Sequence, residues 1–439
     1  MSAIVKIGKI PMEYVLALGT NIEPRASNLR QALARIRKLE ACELIAESMV
    51  YQSEPMYVTD QSRFLNAAIL VRSGLHPQEL LSLLKEIEHD MGRPAPGSDG
   101  YMRYGPRCID IDIIFADNLC IDTPNLTIPH PRLSERPFVL KPLCDILPPT
   151  FTHPISHTPL TALCAQLDMS TCVRVIPLPN PIPLDRPIIM GIVNCTPDSV
   201  YNAVSAESAV ALAERLIVEG ADILDFGGES TRPGAAPVSA AEEIQRVIPV
   251  IQIIAKKFPG FPISIDTYRA ATARAAIAAG AQIVNDVTGG LGDRNMLETV
   301  SEAGAYFVCM HISDAENMHA ALNAVGTASA RVAADLCLRV AAARYAGIPA
   351  WDISIDPGFG FGKNVHENWE LVHAPPRVGS HPVVVGVSRK RFLRGTFDAA
   401  SDEALKGTCA VVSKMRALGC EIFRVHDVAC IREALNPKP

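Results

Sequence analysis

The sequence lacks several features that would assign a protein to a specialised class. Among its 439 residues no stretch approaches the ~20 consecutive apolar residues of a membrane span. The apolar run that follows the first residues is too short for a secretion signal. The twelve cysteines form no C-x-x-C pair and no Cys/His cluster with zinc-ligand spacing. Scattered cysteines of this kind are typical of reduced thiols, so we expect a cytoplasmic protein without a structural zinc site or a disulfide framework.

Charge of one sign is not concentrated in any segment either. The net charge of −6 comes without a block of like charges, which argues against nucleic-acid or anionic-membrane partners. A hydrophobic content of 48% and a charged content of 20% indicate a globular protein rather than a disordered one. The chain is too long for one ordinary core, so we expect two domains.

Prolines mark the expected boundary between the domains. They crowd the region between residues 148 and 187, and the run 177–183 reads Pro-Leu-Pro-Asn-Pro-Ile-Pro. Because proline lacks a backbone donor and fixes φ, this run fits neither a long helix nor a central strand. We predict an extended, semi-rigid linker over 173–186, with one domain at 13–172 and a second at 187–439.

The first part of the chain mixes helical and strand patterns. Apolar residues at helical spacing predict helices over 27–39 and 77–91. Short apolar runs predict strands at 14–18, 64–71 and 108–115. Helices among strands in this order predict an α+β sandwich.

The second part is more regular, because eight short apolar runs alternate with helical stretches. These runs lie at 188–194, 223–227, 263–266, 283–286, 307–311, 353–356, 383–387 and 422–426. Strands alternating with helices imply parallel pairing, and eight such units in this length match a (β/α)8 barrel. A doubly wound open sheet is the alternative.

Polar residues follow the predicted barrel strands, where a barrel enzyme carries its active site. They are Asn194, Asp225, Asp266, Asn285 with Asp286, His311, Asp356, Ser388 with Lys390, and Arg424 with His426. Among them Asp225 and Asp286 are the most plausible helix or turn caps. Arg424 and His426 lie two apart on one side of a strand and suit a polyanion together with Asn194 and Lys390. Asp266, Asn285 and Asp356 supply acceptors for a heterocycle with an amidine-like edge.

Two loops complete this rim. The segment 227–234, Gly-Gly-Glu-Ser-Thr-Arg-Pro-Gly, suits a mobile lid that excludes water. The segment 356–363, Asp-Pro-Gly-Phe-Gly-Phe-Gly-Lys, lacks the spacing of a nucleotide P-loop. We expect its glycines to let flat ligand atoms approach the backbone.

These segments together resemble dihydropteroate synthase. The resemblance rests on Gly-Ile-Val-Asn-Cys-Thr-Pro-Asp-Ser at 191–199, the loops 227–234 and 356–363, Ser-Ile-Asp-Thr at 264–267, Val-Asn-Asp at 284–286, Ser-Arg-Lys at 388–390 and Arg-Val-His-Asp at 424–427. It implies that a dihydropterin pyrophosphate condenses with p-aminobenzoate and releases pyrophosphate. It also implies a homodimer.

The same resemblance implies a role for each rim residue. Pterin contacts would come from Asp266, Asn285, Met310, Asp356 and Lys390. Pyrophosphate and one Mg²⁺ would be held by Asn194, Arg424 and His426. Thr231, Arg232 and Pro233 would lie in the second lid, Ser388 would receive the aminobenzoate carboxylate, and the catalytic groups would be Arg232, Lys390 and Arg424.

The first lid departs from the family pattern. It reads Asp-Ser-Val-Tyr-Asn-Ala-Val at 198–204, and Ile-Ser-Asp replaces the usual pattern at 312–314. An alternative is therefore a pterin-binding barrel with weakened or altered synthase activity. A barrel pterin methyltransferase is a further alternative, and the pyrophosphate set argues against it.

In the first domain Asp110 and Asp112 are two apart on a predicted strand, so their carboxylates face one side. Two such carboxylates can bind Mg²⁺ ions that bridge phosphates. The segments 14–21, 64–68, 105–112 and 128–130 resemble 6-hydroxymethyl-7,8-dihydropterin pyrophosphokinase. That resemblance implies a ferredoxin-like α/β/α sandwich that transfers pyrophosphate from ATP to the pterin alcohol.

The kinase resemblance also implies site residues. Asp110 and Asp112 would hold two Mg²⁺ ions and act in catalysis with Arg93 and Arg107. ATP would bind Arg103, Arg107, His130 and Arg136, and the pterin would bind Ser53, Asn66 and Phe138. Tyr104 and Pro131 depart from the family pattern, and we expect modest effects on affinity.

Overall fold

The computed structural model describes residues 11–95, 97–196, 206–229, 238–313, 326–395, 398 and 401–436. The chain divides into two compact units, Met1–Pro183 and Leu184–Pro439. Within the described residues, no helix is long and apolar enough to cross a membrane.

The first unit contains a seven-stranded antiparallel sheet and a separate two-stranded hairpin. Its strands are β1 (Met12–Thr20), β2 (Cys42–Glu47), β3 (Val50–Ser53), β4 (Phe64–Ser73), β5 (Asp110–Ala116), β6 (Ile121–Thr123), β7 (Leu126–Ile128), β8 (Cys172–Ile176) and β9 (Ile182–Pro183). Its helices are α1 (Arg25–Arg37), α2 (Pro77–Asp90), α3 (Pro137–Ile146) and α4 (Leu160–Ala165). The strand order is β5-β1-β4-β3-β8-β9, β2 also pairs with β4, and β6 and β7 form a separate hairpin.

Helices cover both faces of this sheet. Val15 and Ala68 pack against Leu140 and Leu163 of α3 and α4 in one buried cluster. Side chains alternate along a strand, so the buried Leu16 points to the opposite face, where α1 contacts β1 and α2 contacts β5. The unit is therefore the predicted α/β/α sandwich.

The proline-rich segment differs from a plain spacer. The strand β8 contains no proline and pairs with β3 through residues 172–175, and β9 pairs with β8 in turn. Pro183 is tolerated because β9 is the edge of the sheet, where a missing donor costs little. The segment between the two strands holds Pro177, Pro179 and Pro181. Much of the predicted linker thus belongs to the sheet of the first unit.

The second unit is a parallel barrel. Its strands are β10 (Ile188–Asn194), β11 (Ile223–Gly227), β12 (Ile263–Asp266), β13 (Ile283–Asp286), β14 (Tyr306–Met310), β15 (Ile353–Asp356), β16 (Val384–Val385) and β17 (Ile422–Val425). Its helices are α5 (Ala206–Val218), α6 (Ala240–Lys257), α7 (Ala270–Ala278), α8 (Met296–Ala303), α9 (Ala328–Tyr345), α10 (Val365–His373), α11 (Arg391–Arg394), α12 (Asp402–Ala417) and α13 (Val428–Leu435).

The strand order confirms the barrel. Successive strands are hydrogen-bonded from β10 to β15, and β17 joins β10 to β16. A parallel bridge between Ile355 and Val383 connects β15 to the segment entering β16 and closes the ring. The doubly wound alternative is wrong, because an open sheet would leave these two ends unpaired.

Burial explains why these segments form a barrel. Strand residues such as Ile189, Phe226 and Phe307 are fully buried, as expected for parallel strands covered on both faces. Each long helix buries one stripe, as α6 does with Val247, Val250, Ile251 and Ile254. Because all strands run the same way, their carboxyl ends meet at one rim.

Candidate active sites

The first unit contains a cavity of about 310 Å³ at one end of its sheet. All the residues predicted from the sequence for this site line the cavity: Ser53, Asn66, Arg93, Arg103, Arg107, Asp110, Asp112, His130, Arg136 and Phe138.

Strand register sets the floor of this cavity. Gly19 of β1 pairs with Asn66 of β4 on one side and with Asp110 of β5 on the other. The absent side chain leaves space between them, since a Cβ at Gly19 would lie 3.4 Å from Asn66 Oδ1. Asn66 Nδ2 donates to Ser53 Oγ at 3.0 Å, so these two polar groups are held together beside the opening.

Two arginines hold the Asp110 carboxylate. Arg93 donates to Oδ1, and Arg107 Nη1 donates to Oδ2 at 2.5 Å. Burial opposes ionisation of Asp110, but the positive charges of Arg93 and Arg107 outweigh it and lower the pKa of Asp110 to about 2. Glu88 supports Arg93 from behind, with its Oε1 at 2.7 Å from Nη1. Asp110 is therefore ionised at any physiological pH.

His130 faces the second aspartate. Its Nδ1 accepts the backbone N–H of Arg132 at 3.2 Å, so the proton of the neutral ring lies on Nε2. Nε2 is 4.0 Å from Asp112 Oδ2. Burial lowers the pKa of His130, and Asp112 only partly opposes that effect, so the ring is neutral at pH 7 and donates from Nε2.

The donor set of this site fits Mg²⁺. Asp110 and Asp112 supply carboxylate oxygens on one face of β5, and Mg²⁺ is commonly bound by one or two carboxylates plus phosphate oxygens. Within the described residues no group of three His, Cys, Asp or Glu side chains could form an all-protein metal cage. The arginines around the cavity supply the charge that a polyphosphate needs.

Tyr57, Gln61 and Arg132 also line this cavity and were not predicted. Tyr57 and Tyr104 have ring centroids 4.6 Å apart. The Arg132 Cζ lies 5.2 Å and 5.1 Å from these two ring centroids. The proximity of Arg132 to His130 in sequence was the available signal, whereas the loop that carries Tyr57 and Gln61 shows no periodic pattern.

The barrel rim aligns predicted residues across four neighbouring strands. Asn194 pairs with Gly227, Gly227 with Asp266, and Asp266 with Asn285. Gly227 contributes no side chain, and a Cβ there would lie 3.8 Å from Asn194 Oδ1 and 3.7 Å from Asp266 Cβ. The row therefore brings three polar side chains to one edge with a gap in the middle.

Arg424 bridges two aspartates at this rim. Its Nε donates to Asp225 Oδ2 and its Nη2 donates to Asp266 Oδ2, both at 2.6 Å. Asn285 Nδ2 donates to the same Asp225 oxygen at 3.1 Å. The prediction that Asp225 caps a helix is wrong, because its fully buried carboxylate binds side chains from β13 and β17 instead. Asp286 does hold a turn, accepting the N–H groups of Thr288 and Gly290.

Burial shifts the pKa values of three titratable groups at the rim. It raises the pKa of Asp266 to about 7, since the favourable charge of Arg424 does not fully offset desolvation and the nearby Asp225. Burial also raises the pKa of Asp356 and lowers the pKa of Lys390 to about 8, against the opposing charge of Asp356. Asp266 and Lys390 thus change charge near neutral pH.

The loop after β15 requires glycine at position 358 for a different reason from the expected one. Gly358 has φ +66°, and a Cβ there would lie 1.8 Å from the carbonyl oxygen of His311. The prediction that ligand atoms require these glycines is therefore wrong at Gly358, because the protein's own backbone fills that space. Lys363 donates to the carbonyls of Gly358 at 2.8 Å and Phe361 at 3.1 Å, which agrees with the rejection of a P-loop.

Some of the remaining predicted residues lie within the described part of the chain, and others lie outside it. Ser388 Oγ lies 2.9 Å from His426 Nδ1, so the predicted aminobenzoate and pyrophosphate contacts are adjacent. Met310 is buried, and its carbonyl accepts from Arg339 Nη1 at 2.9 Å. The predicted lid residues Thr231, Arg232 and Pro233, the segment 198–204 and Asp314 lie outside the described residues.

Two family models match the chain. The model described as 7,8-dihydro-6-hydroxymethylpterin-pyrophosphokinase matches residues 15–148, and the model described as pterin binding enzyme matches residues 190–426. The chain is 37% identical to a folate synthesis bifunctional protein of Arabidopsis thaliana, over 95% of this chain and 93% of the relative. It is 38% identical to a mitochondrial folate synthesis bifunctional protein of Pisum sativum, over 95% of this chain and 87% of the relative.

Solved structures resemble the chain as well. A Xanthomonas albilineans dihydropteroate synthase in complex with 7,8-dihydropteroate is 37% identical with a TM-score of 0.51, covering 58% of this chain and 94% of that one. A Plasmodium falciparum HPPK-DHPS with pteroate has a TM-score of 0.71, covering 97% of this chain and 96% of that one. Its identity of 19% shows a shared fold only.

Proposed function

The chain belongs to the family of bifunctional folate synthesis proteins, and from that premise we propose a role for the residues of its two sites. The enzyme transfers pyrophosphate from ATP to 6-hydroxymethyl-7,8-dihydropterin and condenses the product with p-aminobenzoate to give 7,8-dihydropteroate. The first unit performs the transfer, and the barrel performs the condensation.

One observation supports the kinase assignment most strongly: the Asp110 carboxylate, Asp112, His130 and the arginines all line one cavity. In our proposal the pterin ring binds beside Ser53, Asn66 and Phe138. The pterin hydroxyl attacks the β-phosphorus of ATP, the bond from that phosphorus to the α-phosphate oxygen breaks, and AMP leaves. Arg103, Arg107 and Arg136 bind phosphate oxygens and compensate their charge, and the neutral His130 binds a phosphate oxygen through its Nε2–H.

Mg²⁺ belongs to this proposal because the donor set fits it. Asp110 and Asp112 would hold two ions, and when bound these would neutralise phosphate oxygens and orient them. Arg93 and Arg107 donate to the Asp110 carboxylate and would act with it in catalysis.

For the barrel we propose that Asp266, Asn285, Asp356 and Lys390 bind the pterin beside Met310. The aminobenzoate nitrogen attacks the exocyclic carbon of the pterin, the carbon–oxygen bond breaks, and pyrophosphate leaves. Asn194, Arg424 and His426 would stabilise the departing charge, with one Mg²⁺ at Asn194. Ser388 would receive the aminobenzoate carboxylate, and Thr231 and Arg232 would contribute from the second lid.

The test is a two-step assay of the full chain with ATP, Mg²⁺, the pterin alcohol and labelled p-aminobenzoate. Formation of labelled dihydropteroate together with AMP is the expected result. Accumulation of pterin pyrophosphate without condensation would favour the weakened-synthase alternative, which no observation on the described residues supports.

Assembly and location are part of the proposal too. We propose a homodimer through the barrel, which light scattering of the purified protein tests. We also propose a cytoplasmic location, although the Pisum sativum relative is named mitochondrial. Cell fractionation with antibodies against the chain distinguishes the two compartments.

A further inference from the structure

Tyr104 has an unusual backbone conformation beside the kinase cavity. Its φ is 62°, in the left-handed region that non-glycine residues rarely adopt. Such a conformation persists only where surrounding contacts hold it. The residue lies between Arg103 and Arg107, two of the cations that line the cavity.

Three side chains hold Tyr104 in place. Arg132 Nη1 donates to the phenol oxygen at 2.7 Å, and Gln61 Nε2 donates to the backbone carbonyl of Tyr104 at 3.0 Å. The ring of Tyr57 stacks at 4.6 Å with its plane tilted by 34°. The Arg132 guanidinium contacts both rings as well, at distances typical of cation–π pairs.

The same network reaches Arg107. Gln61 Oε1 accepts from Asn21 Nδ2 at 2.9 Å, and Asn21 Oδ1 accepts the backbone N–H of Arg107 at 2.8 Å. The segment 103–107 is thus fixed at Tyr104 and again at Arg107. Arg132 is tied in turn to His130 through its own backbone N–H.

We infer that Arg132 is a positioning residue of the pyrophosphokinase, which clamps Tyr104 and thereby fixes Arg103 and Arg107 where ATP phosphates bind. The inference rests on the proposed kinase function. It also gives the phenol oxygen at 104 a role, because an indole or phenyl ring offers no oxygen that could accept from Arg132.

The test compares Tyr104→Phe, Arg132→Met, the double variant and Arg132→Lys in the full chain. We expect each single substitution to raise the KM for ATP about 3- to 10-fold and to lower kcat less, because a charge-assisted hydrogen bond is lost at a partly exposed site. The double variant should be no worse than Arg132→Met, since both changes remove one interaction. Arg132→Lys should recover part of the affinity, because an ammonium still donates to the phenol.

Two controls make the outcome decisive. Arg35→Met removes a surface arginine whose partner is Asp90 at 3.4 Å, and it should leave the KM for ATP unchanged. Amide hydrogen exchange of peptides from the first unit reports that the variants are folded there. If wild-type enzyme shows no kinase turnover, the proposed function fails. If wild-type enzyme turns over but the variants keep its KM for ATP, or the two effects add, the inference about Arg132 is wrong and the function stands.

Discussion

Arg424 and Asp225, 199 positions apart in sequence, meet at 2.6 Å beneath the barrel rim through the guanidinium Nε and one carboxylate oxygen. The same oxygen accepts from Asn285. Asp225 therefore holds Arg424, a proposed pyrophosphate contact, at a fixed distance from Asn285, a proposed pterin contact. Its own side chain is fully buried.

Asp225→Ala should weaken both the fold and the second reaction. Removing one partner of a buried ion pair costs about 3–5 kcal/mol, and we expect the lower end because Arg424 keeps Asp266. The free energy of unfolding of the barrel should fall accordingly, and kcat/KM for the pterin pyrophosphate should fall with it. Amide hydrogen exchange of barrel peptides measures the first effect, and steady-state synthase assays measure the second.

A surface ion pair provides the comparison for Asp225. Glu242 pairs with Arg246 one helical turn away and is half exposed, so Glu242→Ala should change stability by less than about 1 kcal/mol. Equal losses in the two variants would contradict the linking role of Asp225.

The two active sites should be separable by single substitutions. Asp110→Ala should abolish formation of pterin pyrophosphate and leave condensation of supplied pterin pyrophosphate intact. Arg424→Ala should lower kcat/KM for condensation by about 10²–10³-fold, the usual cost of one lost charge-stabilising donor, and leave the first step intact. Each step is assayed with its own substrate.

Matched exposed residues control these two variants. Asp90 pairs with Arg35 at 3.4 Å on the surface, and Arg215 of α5 pairs with Glu219, which follows the helix. Alanine at Asp90 or Arg215 should change neither rate. A single substitution at Asp110 or Arg424 that removed both activities would argue against independent sites.

The synthase should show a narrow pH optimum. A carboxyl with a pKa of about 7 is protonated below that pH, so Asp266 accepts pterin N–H groups only as pH rises through about 7. A lysine with a pKa of about 8 loses its charge above that pH, so binding through Lys390 weakens there. We expect kcat/KM for the pterin pyrophosphate to rise through about 7 and fall through about 8.

The Lys390→Arg variant tests whether Lys390 causes the fall in kcat/KM near pH 8. Arginine stays charged throughout this range, so the fall near pH 8 should disappear even if the maximum rate is lower. An unchanged alkaline limb in this variant would assign that limb to another group.

Gly358→Ala should disable the synthase through its loop. The added Cβ would overlap the His311 carbonyl oxygen at 1.8 Å, so the loop that follows Asp356 must move. Gly379 also has a positive φ, of +50°, but a Cβ there meets nothing within 4 Å. Gly379→Ala therefore reports the conformational cost alone. We expect synthase activity to be lost in the first variant and retained in the second, and thermal unfolding separates stability from activity.

Periodicity was sufficient to predict the barrel. The eight apolar runs correspond to β10–β17 with shifts of a few residues at their ends. The helices α3 and α4 and the strands β2, β3, β6, β7, β8 and β9 were not predicted. β8 contains no proline but borders the proline-rich run, and it pairs with β3 on one side and β9 on the other. β9 does contain a proline, which is tolerated because β9 is the edge of the sheet.

The residues expected to contact substrates could be predicted from motifs, whereas the residues that support them could not. Asp225 lies inside a recognised motif, yet its partners Arg424 and Asn285 come from strands that are distant from it in sequence. Arg132 and Gln61 act on Tyr104 from separate loops. Short-range sequence patterns contain no information about such contacts between distant segments.

The sheet position of β8 and β9 bears on any attempt to divide this polypeptide in two. A kinase fragment that stopped at residue 171 would lack β8, which pairs with every residue of β3. One edge of β3 would then be unpaired. The exposed backbone donors and acceptors of β3 could then pair with a strand of another molecule and cause aggregation. A cut after Pro183 would leave that edge covered, so the choice of scission point decides whether the first enzyme survives on its own.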